Sequence, residues 1–421
     1  MSLVSLRHLH AFSVVAATGG IRRSSDALFR ASSAVARSVT ALEASLGVLL
    51  FERKGRGMLL TAAGQLAKLR ADRIEAELRD VRDDAVRLRE KWLEKAVDRS
   101  PASNDRGKFS GNVGGIEALL NERRLQAAVL LAEVHHMPTV AHTVGTSQSA
   151  VSQAIARLED MLGQPLFLRT AHGMVPTDAG RRWVERFERV LAELRHIPED
   201  IAALAGVVEG VVTVGALPLA RSQLLPGAIA AVLQKHPRLR IRSLESPYEE
   251  LTAGLLSGRV DFIVGALRQG AGDAFEDRVL IEDRVALIAR RGHPLAAPNG
   301  ARHVTDAELA GYPWVLSRAG TPLRESLEAF FRGRGVSPPV PAVETGDLAL
   351  LRGLLVESDM LTVLSAHQLH HEIATDQLAV LPYDMAGLER RIGLITRRGA
   401  HLSPGANALL AEIDACAARW R

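Results

Sequence analysis

Gln148, Ser149, Ser152 and Gln153 put four uncharged hydrogen-bonding side chains at the start of one segment. The apolar residues of that segment, Val151, Ile155, Leu158 and Leu162, fall at i, i+4, i+7 and i+11. The spacing places the apolar residues on one stripe of an α-helix and leaves the polar ones on the opposite face. Thr146 or Ser147 is placed to cap the N-terminus. Amides and hydroxyls at the leading end of a helix suit base edges in a DNA major groove, where Gln pairs with adenine and Ser accepts either polarity. Upstream, residues 139–144 read as a shorter helix, with Gly145 as the tight turn between the two. The pair is a helix-turn-helix. Taken alone, the pattern also fits an ordinary amphipathic surface helix.

The sequel decides between these readings. Leu158-Glu159, Leu162-Gly163, Pro165-Leu166-Phe167, Arg169, Gly173, Pro176-Thr177 and Ala179-Gly180 follow in order without a gap. This run resembles the winged helix-turn-helix of LysR-type transcriptional regulators. The resemblance implies a two-strand wing over residues 166–175, with Arg169 and His172 near phosphates, followed by a long dimerising linker helix.

The whole unit occurs twice. Residues 6–64 repeat at 122–180 with a constant offset of 116 and roughly a third of positions identical, a single duplication and not a solenoid. Ser33-Ala34-Val35 pairs with Ser149-Ala150-Val151, Leu42-Glu43 with Leu158-Glu159, Leu50-Phe51 with Leu166-Phe167, and Gly57-Met58 with Gly173-Met174. The first recognition helix then presents Ser32, Ser33, Arg37 and Thr40, and its wing Arg53, Lys54 and Arg56. The candidate DNA contacts of the second copy are Ser147, Gln148, Ser149, Ser152, Gln153, Arg157, Arg169 and His172. His135, His136 and His142 read as turn and phosphate-facing surface. Ala36 stands where the family usually has a serine, so the two copies are expected to differ in sequence preference. Family members ordinarily carry one such domain, and the tandem arrangement sets this chain apart.

Between the copies, Ala67, Ala71, Ile74, Leu78, Val81, Ala85, Leu88 and Trp92 alternate spacings of four and three. That is a heptad seam on a helix over 62–97, either a dimerising coiled coil or a packed intramolecular helix. Residues 98–121 read as a flexible linker, its first part rich in Ser, Asn, Gly and charge. After the second copy the same spacing returns in Trp183, Phe187, Val190, Leu194, Ile197, Ile201 and Leu204, and Pro198 is expected to kink or split that helix.

From residue 210 the pattern changes to strands alternating with helices: strands at 211–215, 239–244 and 260–265, helices at 224–235 and 248–257. This predicts an open α/β unit with a largely parallel sheet. The segments VVTVGALPLARSQLLPGAIAAVLQKHPRLRIRSLE and RRIGLITRRG resemble the effector domain of LysR-type regulators. The resemblance implies a two-lobed periplasmic-binding-protein fold, with lobe I over about 210–276 and 384–421 and lobe II over about 277–383. The chain is thus expected to comprise winged helices at 1–61 and 122–177, linker helices at 62–97 and 178–209, and the effector domain at 210–421. By the same resemblance the small-molecule site is carried by Leu217, Pro218, Leu219, Arg221, Ser222, Ser246, Pro247, Ala266, Leu267, Ser317, Gly320, Thr321, Pro322, Arg324, Glu344 and Thr345. Thr321 and Arg324 at a helix start favour an anion, while 217–219 offers apolar surface. A small organic acid, aromatic or sugar-derived, is the expected inducer.

Composition sets the frame. The chain has 421 residues, 47% of them hydrophobic, and no long uninterrupted apolar run. Two or three domains with full cores are expected, and no membrane span. Arg7, His8 and His10 interrupt the first twenty residues, so no secretory signal is read and a cytoplasmic location is expected. Cys416 is the sole cysteine, which excludes a disulfide framework or a thiolate metal site. The positive excess is N-terminal: residues 1–100 hold 18 Lys and Arg against 12 Asp and Glu, a footprint suited to phosphates. His367, His370, His371 and Glu372 have helical metal-ligand spacing without an assignable fourth partner. No nucleophile with a base and no phosphate loop is found, so an enzyme, a cofactor and a resident metal are not expected. The resemblance implies a ligand-responsive transcriptional regulator whose partners are double-stranded DNA, an inducer, RNA polymerase and further copies of itself, as a dimer through the linker helices or a tetramer. An architectural DNA-binding protein is the alternative.

Overall fold

The computed structural model describes residues 4–54, 57–97, 113–268, 272–296 and 303–419. The chain divides into two compact units. The first is Met1–Gly210 with Leu256–Arg259 and Ser403–Gly405, and the second is Val211–Leu255, Val260–Leu402 and Ala406–Arg421.

In the first unit the order is α1 (Leu6–Thr18), α2 (Ile21–Ala27), α3 (Ser32–Leu46), β1 (Phe51–Lys54), β2 (Gly57–Leu60) and α4 (Ala62–Val97). It repeats as α5 (Glu122–Val134), α6 (Met137–Val144), α7 (Gln148–Leu162), β3 (Phe167–Thr170), β4 (Gly173–Pro176) and α8 (Asp178–Leu204). Both wings are antiparallel hairpins, Phe51 pairing with Leu60 and Phe167 with Pro176. The same devices hold each copy. Glu43 Oε1 accepts from the Leu50 and Phe51 amides at 2.8 and 3.3 Å, and Glu159 Oε1 from those of Leu166 and Phe167 at 2.8 and 3.2 Å. Gly64 and Gly180 are required where a Cβ would meet the carbonyl oxygen of Leu50 or Leu166 at 2.1 Å.

The long helices pack on each other within the chain. Arg70 meets Asp200 and Glu193, Glu77 meets Arg189 and Arg186, and Asp84 meets Arg182, so α4 and α8 run antiparallel. The predicted seam, Ala67, Ala71, Ile74, Leu78, Val81 and Ala85, is buried together with Trp183, Phe187, Val190, Leu194 and Ile197 in one core that also contains both winged helices. The expectation that each linker helix dimerises with a copy of itself is therefore corrected. Its seam is already covered by the other helix of the same chain, and burying apolar surface once removes the drive to bury it again. The Trp92 side chain lies outside the described residues.

Two local expectations also change. Pro198 sits inside α8, which continues to Leu204, so of the kink or split expected there the split does not occur. Ile197 and Ile201 on either side of it are buried, and that packing holds the turn despite the missing N–H donor. Of the 98–121 linker, 98–112 lies outside the described residues. Residues 113–121 are packed: Gly114 N donates to Met161 O at 3.1 Å, and Ile116, Leu119 and Leu120 are buried around a 3₁₀ turn.

The second unit contains β5 (Gly210–Ala216), α9 (Leu225–Lys235), β6 (Leu239–Leu244), α10 (Tyr248–Ser257), β7 (Phe262–Ala266), β8 (Phe275–Arg290), α11 (Asp306–Leu309), β9 (Val315–Leu316), α12 (Pro322–Gly333), β10 (Val343–Glu344), α13 (Leu348–Glu357), β11 (Thr362–Ser365), α14 (His370–Ala374), β12 (Leu378–Val380), β13 (Glu389–Arg397) and α15 (Pro404–Ala418). Its main sheet runs β11-β8-β13-β7-β5-β6, with β12 also on β8. β5 and β7 are parallel, but β13 is antiparallel to both β7 and β8, and β8 to β11 and β12. The sheet is mixed, which corrects the largely parallel expectation. The long strands β8 and β13 run in opposite directions along one ladder, so the sheet cannot be wholly parallel. Two cores result, one around Leu251, Leu255, Val260, Ile263 and Ile395, the other around Leu287, Trp314, Leu327 and Leu361. Cys416 is buried. Among the described residues no helix is long and apolar enough to cross a membrane.

Candidate nucleic-acid interface and effector site

The second head is built as its spacing predicts. Val151, Ile155, Leu158 and Leu162 turn α7 inward. Ser147 is the cap, its hydroxyl accepting from the Ala150 amide at 3.2 Å. Gln148, Ser149, Ser152, Gln153 and Arg157 remain exposed, and Gly145 makes the turn at φ 71°. Arg169 and His172 are exposed on the wing, whose turn is shaped by Thr170 Oγ1 accepting from the His172 amide at 3.1 Å. Arg157 stands near Arg124 and Arg7. Burial lowers the Arg124 pKa and the charges of Arg157 and Arg7 lower it further. Local helix spacing gives no sign of this grouping.

His135 lies in a turn, as expected, and has a further task there. It holds φ 58°, its carbonyl accepts from the Met174 amide at 2.9 Å, and its Nδ1 lies 3.1 Å from Met174 O. It pins the wing to the end of α5. His136 Nδ1 is 2.8 Å from Thr139 Oγ1, at the start of α6.

In the first head Ser32, Ser33, Arg37 and Thr40 are exposed on α3. Arg53 and Lys54 lie on β1, but their side chains, and Arg56 altogether, fall outside the described residues. The turn differs from that of the second head. Phe29, at the position of Gly145, takes φ 50° with 96% of its surface exposed. Ser25 Oγ donates to Arg30 O at 2.6 Å and braces this turn.

In the second unit many of the expected effector residues lie at or just after strand ends. Leu217–Ser222 follows β5, Ala266 and Leu267 end or follow β7, Ser317 follows β9, and Glu344 and Thr345 end or follow β10. Ligands in α/β sheets lie outside such carboxyl ends. Leu217 packs on Gly265, where a Cβ would meet its Cβ at 2.3 Å, and its amide donates to Val264 O at 3.0 Å. Pro218 and Arg221 are exposed, while Ser246 and Ser222 are half-buried. Pro247, Gly320 and Glu344 are exposed, and Pro322 is half-buried. Leu219 is turned into the core and Thr345 is buried, so neither offers the surface expected of it. Leu219 is drawn in by the π-turn Ala220–Leu224, where its carbonyl accepts from Ser222 Oγ at 2.9 Å. That turn contacts Ala366–Leu369 of lobe II, a segment the sequence did not single out for the site.

Arg324 is not a waiting cation. It is buried, its Nε donates to Glu328 Oε1 at 2.8 Å, and its Nη1 to Glu344 Oε1 at 3.2 Å. The free guanidinium expected there is corrected, because the two carboxylates come from helical spacing and from β10. Thr321 Oγ1 donates to Arg318 O at 2.9 Å. Tyr248 is a residue the sequence missed. Arg268 lies 3.9 Å over its ring and pairs with Glu249 at 2.8 Å. Burial raises the pKa of its hydroxyl, whose oxygen has no hydrogen-bond partner among the described residues. Glu372, one of the possible metal ligands, pairs with Arg352 at 2.6 Å. Among the described residues no group of three His, Cys, Asp or Glu stands together as a metal site.

The comparisons agree with this geometry. The family described as bacterial regulatory helix-turn-helix protein, lysR family, matches twice, at residues 6–65 and 123–181, and the LysR substrate binding domain matches 205–417. The chain belongs to the LysR family of transcriptional regulators. It is 42% identical over 98% of its length, and 97% of the relative's, to the HTH-type transcriptional regulator GalR of Pseudomonas putida. It is 27% identical, over 71% of its length and 87% of the relative's, to the regulator GbpR of Azospirillum brasilense. Among solved structures, a full-length OxyR variant from Pseudomonas aeruginosa matches with a TM-score of 0.54 at 21% identity, covering 70% of this chain and 94% of that one. Full-length CbnR complexed with its target DNA matches at 0.50 and 19%, covering 70% and 99%. This LysR-type regulator therefore carries a DNA-binding region and a substrate-binding domain, and its relatives are regulators of transcription, not enzymes.

Proposed function

We propose that this LysR-type regulator binds operator DNA through its winged helices and changes that binding, and its contact with RNA polymerase, when a small organic acid enters the second unit. The observation that carries the reading is the α7 surface. A capped helix leads with Gln148, Ser149, Ser152 and Gln153, all exposed, above a fully buried apolar stripe. Its chemistry suits direct readout in the major groove. The alternative of an architectural protein is disfavoured by the match of a substrate-binding domain over 205–417. For the effector, an aromatic or sugar acid is supported by Arg324 at the start of α12 and by the apolar Pro218, exposed, and Leu217, half-buried, after β5. Such an acid takes the place of Glu344, the weaker of the two carboxylates on Arg324.

The test is a footprint of the full chain on the DNA upstream of its own and neighbouring genes, with and without a panel of acids. Discrete protected sites that shift with one acid class are expected. Gln148→Ala with Ser152→Ala lowers discrimination by about 1–3 kcal/mol per base contact, with the salt dependence unchanged. Uniform coating of all DNA, indifferent to every acid, removes the reading.

A further inference from the structure

The two heads are joined by a pseudo-twofold. Glu122 Oε2 accepts from the amide of Leu6, its own counterpart 116 positions earlier, at 3.2 Å. Arg70 pairs with Glu193 at 2.6 Å, and their counterparts Arg186 and Glu77 pair at 2.8 Å. Arg73 pairs with Glu193 at 2.6 Å, and the counterparts Arg189 and Glu77 at 2.8 Å. A contact in which i meets j and the copy of j meets the copy of i is the signature of an isologous dimer. Here both halves belong to one chain.

The surfaces that the pseudo-twofold presents are unequal. Over 21–40 the first head carries Arg22, Arg23, Arg30 and Arg37 with a single acid, Asp26, and all four arginines are exposed. Their counterparts are Pro138, Thr139, Thr146 and Gln153, and residues 137–156 contain no Lys, Arg, Asp or Glu. Where the second head opens α7 with Gln148, the first opens α3 with Ser32. Where the second has Ser152, the first has Ala36.

We infer that a single chain supplies both heads of one DNA reader and divides the work between them: the second head reads bases and the first grips the phosphate backbone. Guanidinium groups on phosphates add affinity without sequence information, whereas amides and hydroxyls on base edges add discrimination. The operator then has one defined half and one degenerate half, in contrast to the palindrome that two identical heads select. This rests on the DNA-binding reading above.

The experiment is selection of duplexes from a random pool by the full-length protein, repeated with two variants at exposed positions whose folding is checked by thermal melting. The expected consensus is one-sided. Arg22→Ala/Arg30→Ala/Arg37→Ala weakens all duplexes alike and reduces the slope of log affinity against log salt by about 2.7, the value for three lost phosphate contacts. Gln148→Ala/Gln153→Ala leaves that slope in place and lowers preference for the defined half by roughly ten- to a hundredfold. A palindromic consensus, or loss of base preference in the arginine variant, overturns the division of labour while leaving DNA binding intact. Failure to retain any duplex removes the DNA reading itself, and the inference with it.

Discussion

Arg70 Nη1 and Glu193 Oε2 meet at 2.6 Å between the two long helices, with the Arg70 side chain fully enclosed. Asp200 takes the Nε of the same guanidinium at 2.7 Å. Burial opposes the charge on Arg70, but Asp200 and Glu193 outweigh it and hold its pKa above the ordinary value. The counterpart, Arg186, makes the mirrored contact to Glu77 with 31% of its side chain exposed. One interaction thus occurs twice in two dielectric settings. Removing a partner from a buried pair costs about 3–5 kcal/mol because the remaining charges are stranded. At the half-buried Arg186–Glu77 pair solvent still reaches the charges and screens them, so the cost is smaller. Arg70→Met is therefore expected to lower the urea midpoint of the first unit far more than Arg186→Met. Equal losses would show that the two sites are equally solvated.

Acid sensitivity follows from Glu77. Burial pushes its carboxyl up, yet Arg189 and Arg186 together bring it below the ordinary value of 4.5. A carboxylate with a depressed folded pKa stabilises the fold fully above its unfolded pKa, and that stabilisation is lost as pH falls through the folded one. The contribution is constant from neutral pH to about 5, begins to decline near the unfolded value of about 4.5 and is lost as pH falls through the lower folded value. Burial raises the Glu159 and Glu188 carboxyls, and these act in the opposite sense. Comparison with Glu77→Gln isolates the one group. The variant is expected to be less stable at pH 7 and to converge on the parent once the pH lies below the depressed folded pKa of Glu77. Parallel stability curves would exclude Glu77 as the source.

Phe29 occupies a backbone conformation that suits glycine, and its counterpart is Gly145. A left-handed conformation costs an L-residue roughly 1–2 kcal/mol, and 96% exposure shows that packing does not compensate. Strain of this kind is retained where a site uses it. An apolar ring beside Arg30 is suited to a thymine methyl group or a deoxyribose face. Phe29→Gly is expected to raise the melting temperature by a few degrees and to weaken DNA binding. A more stable protein with undiminished DNA binding would show the ring to be passive.

The helix-turn-helix was legible because its determinants are local. The stripe from Val151 to Leu162, the Ser147 cap and the Gly145 turn all lie within one short stretch. The seam from Ala67 to Ala85 was equally legible as a seam. Its partner was not, because heptad spacing specifies an apolar face and says nothing about whether the facing helix belongs to the same chain. Arg70 was invisible for a related reason. It lies among charged residues, and only the approach of Glu193 and Asp200, 123 and 130 positions away, sets it apart. The strands and helices of the second unit were readable from alternation, but the reversed direction of β13 was not, since pairing direction depends on chain path and not on pattern.

The proposed acid site at Arg324 depends on which carboxylate holds its guanidinium. Glu328 holds Nε at 2.8 Å from the next helical turn, whereas Glu344 holds Nη1 at 3.2 Å from β10 with 45% of its side chain exposed. On the proposed reading Glu344 is the partner that an incoming acid displaces, since it has the longer contact and water already reaches it. Removing its charge frees Nη1 of the same guanidinium, while Glu328 stays on Nε. Glu344→Gln is expected to tighten binding of the cognate acid by roughly tenfold, at the lower end of a charge-assisted hydrogen bond. Binding of the neutral amide should be unaffected. Arg324→Ala is expected to bind acid and amide alike while keeping its basal DNA affinity. Calorimetry with matched acids and amides on the parent and both variants decides the matter. Equal binding of acid and amide by the parent, or an acid affinity in Glu344→Gln no better than the parent's, would place the effector's charged group away from Arg324.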